Sequence, residues 1–273
     1  MKKRVIIGVM LLLFYAWFGI AAAEISILGG LSREKSAKQG ETYENEIIIM
    51  NKGQGIQEVK LYQTDYLFFS DGSNIYGEPG KISRSNAKWI TFHPKRLKIG
   101  PNQQEVVHYT VAVPKDTGLE GTFWSILMVE PIAEDSPESS QVKERETSIG
   151  VRQIFRYGIQ IATNIDDTGA GMLKFSDTKL LKENNVSILR VDVENIGEIF
   201  LRPSLSVEVY NEKGGFVGKY QGERFRTYPG TSVRFKVDLG QIDEGVYKAL
   251  VVADCGGDDV FGATYNIKIQ NNK

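Results

Sequence analysis

The stretch Gln104-Glu-Val-Val-His-Tyr-Thr-Val-Ala-Val113 alternates. Val107, Tyr109, Val111 and Val113 fall on one face, and His108 and Thr110 on the other. A period of two is the mark of a β-strand with one face in a core and one in water. Working outward, Glu46–Asn51 (Glu-Ile-Ile-Ile-Met-Asn) is a short continuous apolar run, as a buried strand would be. Thr122–Glu130 (Thr-Phe-Trp-Ser-Ile-Leu-Met-Val-Glu) is a third such run. Ile149–Ile161 alternates again, with Ile149, Val151, Phe155, Tyr157, Ile159 and Ile161 on one side and Arg152, Arg156 and Gln160 on the other. Turn signals separate the runs at Asn51-Lys-Gly53, Gly100-Pro-Asn102 and Pro114-Lys-Asp-Thr-Gly118. No window of about 12 residues or more holds a helical period.

The second half repeats landmarks of the first in the same order. A strand followed by Asn-x-Gly occurs at Ile48–Gly53 and again at Val191–Gly197. A proline turn leads into an alternating strand at Ile99–Val113 and at Tyr228–Leu239. Gly-x-aromatic precedes an apolar strand at Gly121-Thr-Phe123 and at Gly245-Val-Tyr247. Two copies of one module are therefore expected. The fold class is all-β, two immunoglobulin-like β-sandwich domains in tandem. The break is expected in Ala162–Gly171, where Asp166, Asp167, Gly169 and Gly171 interrupt the pattern, giving domains over 24–163 and 164–273. The polar connections Ser70–Ser85 and Glu134–Thr147 are the long loops.

Residues 1–23 read as an export signal. Lys2, Lys3 and Arg4 are followed by an uncharged apolar stretch from Val5 to Ala23, closing on Ala21-Ala22-Ala23. Small residues at those positions suit a signal peptidase, so cleavage before Glu24 is expected. An uncleaved membrane anchor is the rival, since about 20 apolar residues span a bilayer. Either places the body outside the cytoplasm.

Composition closes off several functions. The 273 residues carry a net charge of −1, so there is no basic footprint for nucleic acid. One cysteine, Cys255, excludes an internal disulfide, and two histidines, His93 and His108, leave little for a histidine-rich metal site. Neither histidine lies beside a serine or cysteine nucleophile motif. Asp254, Asp258 and Asp259 around Cys255-Gly-Gly257 read as an acidic turn rather than a cation site, and Asn185-Val-Ser187 is a short sequon match. No enzyme, cofactor, metal or small-molecule substrate is expected. What a sandwich without catalytic groups can offer is an unpaired strand edge, whose N–H and C=O groups accept an incoming strand.

The ladder Trp89-Ile-Thr-Phe-His-Pro94, Leu97-Lys-Ile-Gly-Pro101, the strand ending Val113-Pro114, and Gly121-Thr-Phe-Trp124 with Glu130-Pro131 resembles the N-terminal domain of the periplasmic pilus-assembly chaperones. The resemblance covers about residues 24–163. It implies a periplasmic chaperone that binds pilin-like exported subunits by β-strand addition along the last strand of the first domain, with an outer-membrane usher as a further partner. It also implies a basic pair gripping the carboxylate of the client: Arg33, with Lys35 as the fallback, and Arg152. The client-binding residues it points to are Arg33, Arg152, Ile149, Val151 and Phe155. Lys143, Arg145 and Thr147 are polar where that family carries apolar residues, which points to a less apolar client. The alternative is an adhesive or structural β-sandwich module anchored at the membrane or surface.

Overall fold

The computed structural model describes residues 24–116, 118–133, 136–140, 154–166, 168–183 and 186–270. The expected signal (1–23) and the candidate residues Ile149, Val151 and Arg152 lie outside them. Four sheets form two sandwich-like bodies.

The first body contains β1 (Ile25–Leu28), β2 (Ser32–Ala37), β3 (Thr42–Asn51), β4 (Gln57–Phe68), β5 (Asn74–Gly77), β6 (Ile90–His93), β7 (Arg96–Ile99), β8 (Gln104–Ala112), β9 (Thr122–Ile132) and β10 (Tyr157–Ile165). One sheet runs β1-β3-β8-β6, and the other runs β2-β10-β9-β4-β5 with β7 also on β4. Alternation decides which residues meet between them. Ile47 and Ile49 of β3 and Val107, Tyr109 and Val111 of β8 are buried against Val59, Leu61, Leu127, Val129, Ile159 and Ile161. The run Glu46–Asn51 is thus buried on one face only, since Ile48 and Met50 are half-buried on the other.

The second body contains β11 (Leu173–Glu183), β12 (Val186–Asn195), β13 (Ser204–Asn211), β14 (Phe216–Arg224), β15 (Ser232–Asp238), β16 (Gly245–Asp254) and β17 (Val260–Ile269). Its sheets run β11-β12-β15 and β14-β13-β16-β17. Leu189, Val191, Val193, Phe235 and Val237 face Leu205, Val207, Val209, Ala249, Val251 and Ala253 in its core.

The Asn-x-Gly landmark is the same device in both bodies. Asn51 Nδ2 donates to the carbonyls of Gly55 and Ile99, and its Oδ1 accepts from Gly53 N. Asn195 Nδ2 donates to Ile199 and Thr227, and its Oδ1 accepts from Gly197 N. A buried amide that answers a turn's backbone groups satisfies donors and acceptors that water cannot reach.

The bodies join through an aromatic cluster. Tyr228, fully buried, stacks on Trp124 with centroids 4.9 Å apart and touches Phe200 at 4.9 Å and Phe68 at 6.4 Å. Backbone bonds run beside it: Thr122 N donates to Glu198 O, and Phe200 N donates to Thr122 Oγ1, each at 2.8 Å. On the other flank Ser70 N donates to Ser232 Oγ, and Ser70 Oγ donates to Asp192, which Arg234 grips bidentately at 2.7 Å. That guanidinium holds the Asp192 carboxyl below its usual range.

Candidate functional site

The candidate edge is the outer margin of β10 ahead of Gln160, which no described residue pairs. On its inner side β10 pairs antiparallel with β9 from Tyr157↔Val129 to Asn164↔Thr122. On its outer side β2 pairs with it in parallel, but only from Gln160↔Ser32 onward. Gln160 N donates to Leu31 O at 2.9 Å, so Gln160 turns its backbone groups toward β2. Backbone direction alternates along a strand. Gly158, two residues earlier, therefore turns its N–H and C=O to the same outer side, beyond the start of β2. A Cβ at Gly158 would stand 3.1 Å from Ile126 Cγ2, which is why the position suits glycine.

Apolar side chains frame this open lane. Leu31 at its end is 45% exposed, and Ile154 and Phe155, just before β10, are 45% and 41% exposed. Phe155 precedes the strand rather than lying in it. Ile159 and Ile161 are buried in the core, so the inward face of the Ile149–Ile161 run fills the sandwich where the structure describes it. Tyr157 donates its hydroxyl to Ile25 O at 2.5 Å and ties the start of β10 to β1.

Arg33 lies on the face of β2 opposite Ser32 and Glu34. Its guanidinium donates to the carbonyls of Gly29 (2.8 Å), Gly30 (3.1 Å), Leu28 (3.1 Å) and Ser32 (3.2 Å). It thereby pins the turn by which the chain leaves β1. Gly29 and Gly30 have φ of 78° and 83°, a region that disfavours a side chain. Arg156 is engaged on the outer sheet face, its Nε 3.2 Å from Glu130 Oε2.

Two cations that sequence reasoning did not single out stand at the end of the lane. Arg202 and Arg226 flank the isolated bridge Leu201↔Thr227, which brings them side by side from distant parts of the second body. Both reach one carboxylate of β2: Arg202 Nη2 lies 2.6 Å from Glu34 Oε2 and Arg226 Nε 3.7 Å from Glu34 Oε1. Arg202 also sits 5.2 Å over the Phe200 ring. Ser32 Oγ donates to the same Glu34, and Tyr228 OH donates to Gln160 Oε1 at 3.4 Å. Burial foremost, with Glu34 adding, pushes the Tyr228 hydroxyl up to about 12. Two guanidiniums against one carboxylate leave net positive charge there. No sequence motif links residues 34, 202 and 226; only the junction of the bodies does.

His93 and His108 are cross-strand partners, exposed on the outer face of β6 and β8. Among the described residues no group of three or more His, Cys, Asp or Glu side chains could hold a metal ion. Cys255 is half-buried, and burial, with Asp259 and Asp254 beside it, pushes its thiol up to about 11. A thiol that stays protonated is a poor nucleophile.

No family model matches the chain, and no curated protein matches it. Solved structures of pilus chaperones do match, over most of both chains. A chaperone–tip adhesin complex of CFA/I fimbriae biogenesis has a TM-score of 0.47 at 10% identity, covering 89% of this chain and 98% of that one. The CsuC–CsuE chaperone–tip adhesion subunit pre-assembly complex of Acinetobacter baumannii has a TM-score of 0.46 at 14% identity, with 88% and 98% covered. The Salmonella enterica SafB chaperone in complex with the SafA pilin has a TM-score of 0.41 at 12% identity, with 92% and 99% covered.

Proposed function

We propose that this chain is a non-enzymatic periplasmic chaperone-like protein that binds exported, pilin-like subunits of a fimbrial-type surface structure by β-strand addition. The observation that carries this reading is the outward backbone of Gly158, unpaired by β2 and framed by exposed Leu31, Ile154 and Phe155. An added strand gains main-chain hydrogen bonds there, and alternate side chains select it. The motif ladder from Trp89 to Pro131 supports the same reading, and the apolar stretch before Glu24 supports export.

In this reading the client carboxylate is gripped by the basic pair Arg33 and Arg152, with Arg202 and Arg226 adding positive charge at the end of the lane. Charge-assisted bonds to guanidinium are about twice as strong as neutral ones. An outer-membrane usher is the further partner.

The test is co-export of the tagged full chain with a pilin-like subunit, followed by recovery of the complex. Gly158→Pro removes the outward N–H while leaving the β9 ladder bonds, and proline is tolerated at a strand edge. Gly158→Ala, which adds the same Cβ against Ile126 but keeps the N–H, is the control: it should recover subunit, and Gly158→Pro at least tenfold less. Undiminished recovery with Gly158→Pro, or no recovery with the unaltered chain, would rule out strand addition at this margin.

A further inference from the structure

The outer face of the second sheet of the first body carries a row of alternating charge. Alternation along β4 puts Glu58, Lys60 and Tyr62 on one face. Register places Lys98 and Arg96 of β7 opposite Glu58 and Lys60, and Glu130 of β9 opposite Lys60 on the other side. Glu58 is 1% exposed, with Arg96 Nη2 at 3.2 Å and Lys98 Nζ at 3.3 Å. Lys60 Nζ bridges Glu138 at 2.6 Å and Glu130 at 3.5 Å. Glu130 accepts from Tyr62 OH at 2.7 Å and pairs with Arg156 at 3.2 Å.

The row grips the chain at two places. Glu58 accepts from both the N–H and the hydroxyl of Ser140, while Glu130 holds Arg156, the residue just before β10. Lys60 bridges Glu130 to Glu138, two residues before Ser140. Arg156 stands two residues before Gly158, so what fixes Arg156 fixes the approach to the open lane.

We infer that this charge row is a positioning device for client binding, in which Glu130, held by Lys60 and Tyr62 and acting through Arg156, keeps the start of β10 at a set place on the sheet. The inference rests on the strand-addition reading above. An edge that is already ordered loses less entropy when a strand joins it. Glu130 acts on the client only through the Arg156 side chain that it holds.

The test uses the full chain and two readouts. Hydrogen exchange of the free protein is followed over residues 154–160, and recovery of the co-exported pilin-like subunit is measured for the same variants. Glu130→Gln and Arg156→Gln should speed exchange there about two- to fivefold and lower recovery by a similar factor, in line with the loss of one ion pair. Arg156→Lys, which keeps the charge, should restore most of both. A Val251→Ala variant, destabilised in the second body, controls for stability and should keep full recovery. Unchanged exchange in Glu130→Gln overturns the inference, as does faster exchange with undiminished recovery. Failure of the unaltered chain to recover subunit overturns the strand-addition reading and the inference with it, and that failure shows before any variant is made.

Discussion

Trp124 and Tyr228 stack across the junction of the two sandwiches, with ring centroids 4.9 Å apart and planes 22° from parallel. Trp124 comes from β9, the strand that also pairs with β10. Tyr228 comes from the turn before β15. Each is at most 1% exposed, so neither sandwich completes its surface without the other.

Tyr228→Ala should therefore lower stability by about 3–5 kcal/mol, the range for truncating a buried large aromatic. Tyr228→Phe should cost about 1 kcal/mol, since it removes the 3.4 Å bond to Gln160 and the hydroxyl's interaction with Ser32. Urea unfolding followed by tryptophan fluorescence, to which Trp89 and Trp124 of the first body both contribute, measures both losses. A Tyr228→Ala midpoint equal to the unaltered chain would show that the stack contributes nothing.

Gly121 is the tightest point of the same junction. Its φ is +69°, and a Cβ there would lie 2.1 Å from Glu198 O. Gly121→Ala must displace the carbonyl that accepts Thr122 N, and it strains the backbone as well. The expected loss is about 2–4 kcal/mol in melting experiments, much more than for alanine at Gly230, which has a similar φ and open space.

Glu58 sets a pH dependence. Burial alone would raise its carboxyl, but the Ser140 hydroxyl and N–H and the Lys98 ammonium outweigh it and hold the group down at about 2, against an ordinary 4.5. A carboxyl lowered by folding stabilises the native state above its unfolded value and loses that contribution as pH falls through the folded one. About 3 kcal/mol should drain away between pH 4.5 and 2. Urea midpoints from pH 2 to 6 measure it. Glu58→Gln should flatten the curve in that window and lower stability at pH 7 by about 3 kcal/mol, since Arg96 and Lys98 lose their buried partner. A Glu58→Gln curve parallel to the unaltered one would refute this account.

Glu34 occupies the two guanidiniums that face the end of the lane. Glu34→Gln should free Arg202 and Arg226 for a client carboxylate and tighten subunit binding about fivefold, equivalent to about 1 kcal/mol. Arg202→Ala with Arg226→Ala should weaken it. Titration calorimetry with a purified pilin-like subunit gives both values, and equal affinity in all three proteins would remove these arginines from the site.

Much of the fold was legible because local alternation and burial agree. The reading of Gln104–Val113 matches β8 to within a residue, and Thr122–Glu130 matches β9 to within two. The end of β10 was not legible. Ala162 and Asn164 break the apolar rhythm, yet Ala162 packs under Trp124 and Tyr228 and Asn164 accepts from the Thr122 hydroxyl, so the strand runs on to Ile165. Tertiary partners supplied what periodicity lacked. The site divides in the same way. Phe155 and the alternation of the last strand follow from pattern, whereas Leu31 and the parallel cover of β2 over Gln160–Ile165 do not. That Arg33 serves its own turn, that Arg156 serves Glu130, and that Arg202 and Arg226 converge on Glu34 depends on which elements fold together, and spacing along one chain carries no trace of it.

The first two strands belong to different sheets: β1 pairs with β3, and β2 with β10. Between them the chain swings across the sandwich at Gly29–Gly30, fastened by Arg33. The preceding residues are thus steered to the opposite wall and cannot prolong β2 backward past Ser32. Among the described residues, none lies directly upstream of Ser32 to seal the berth beside Gly158.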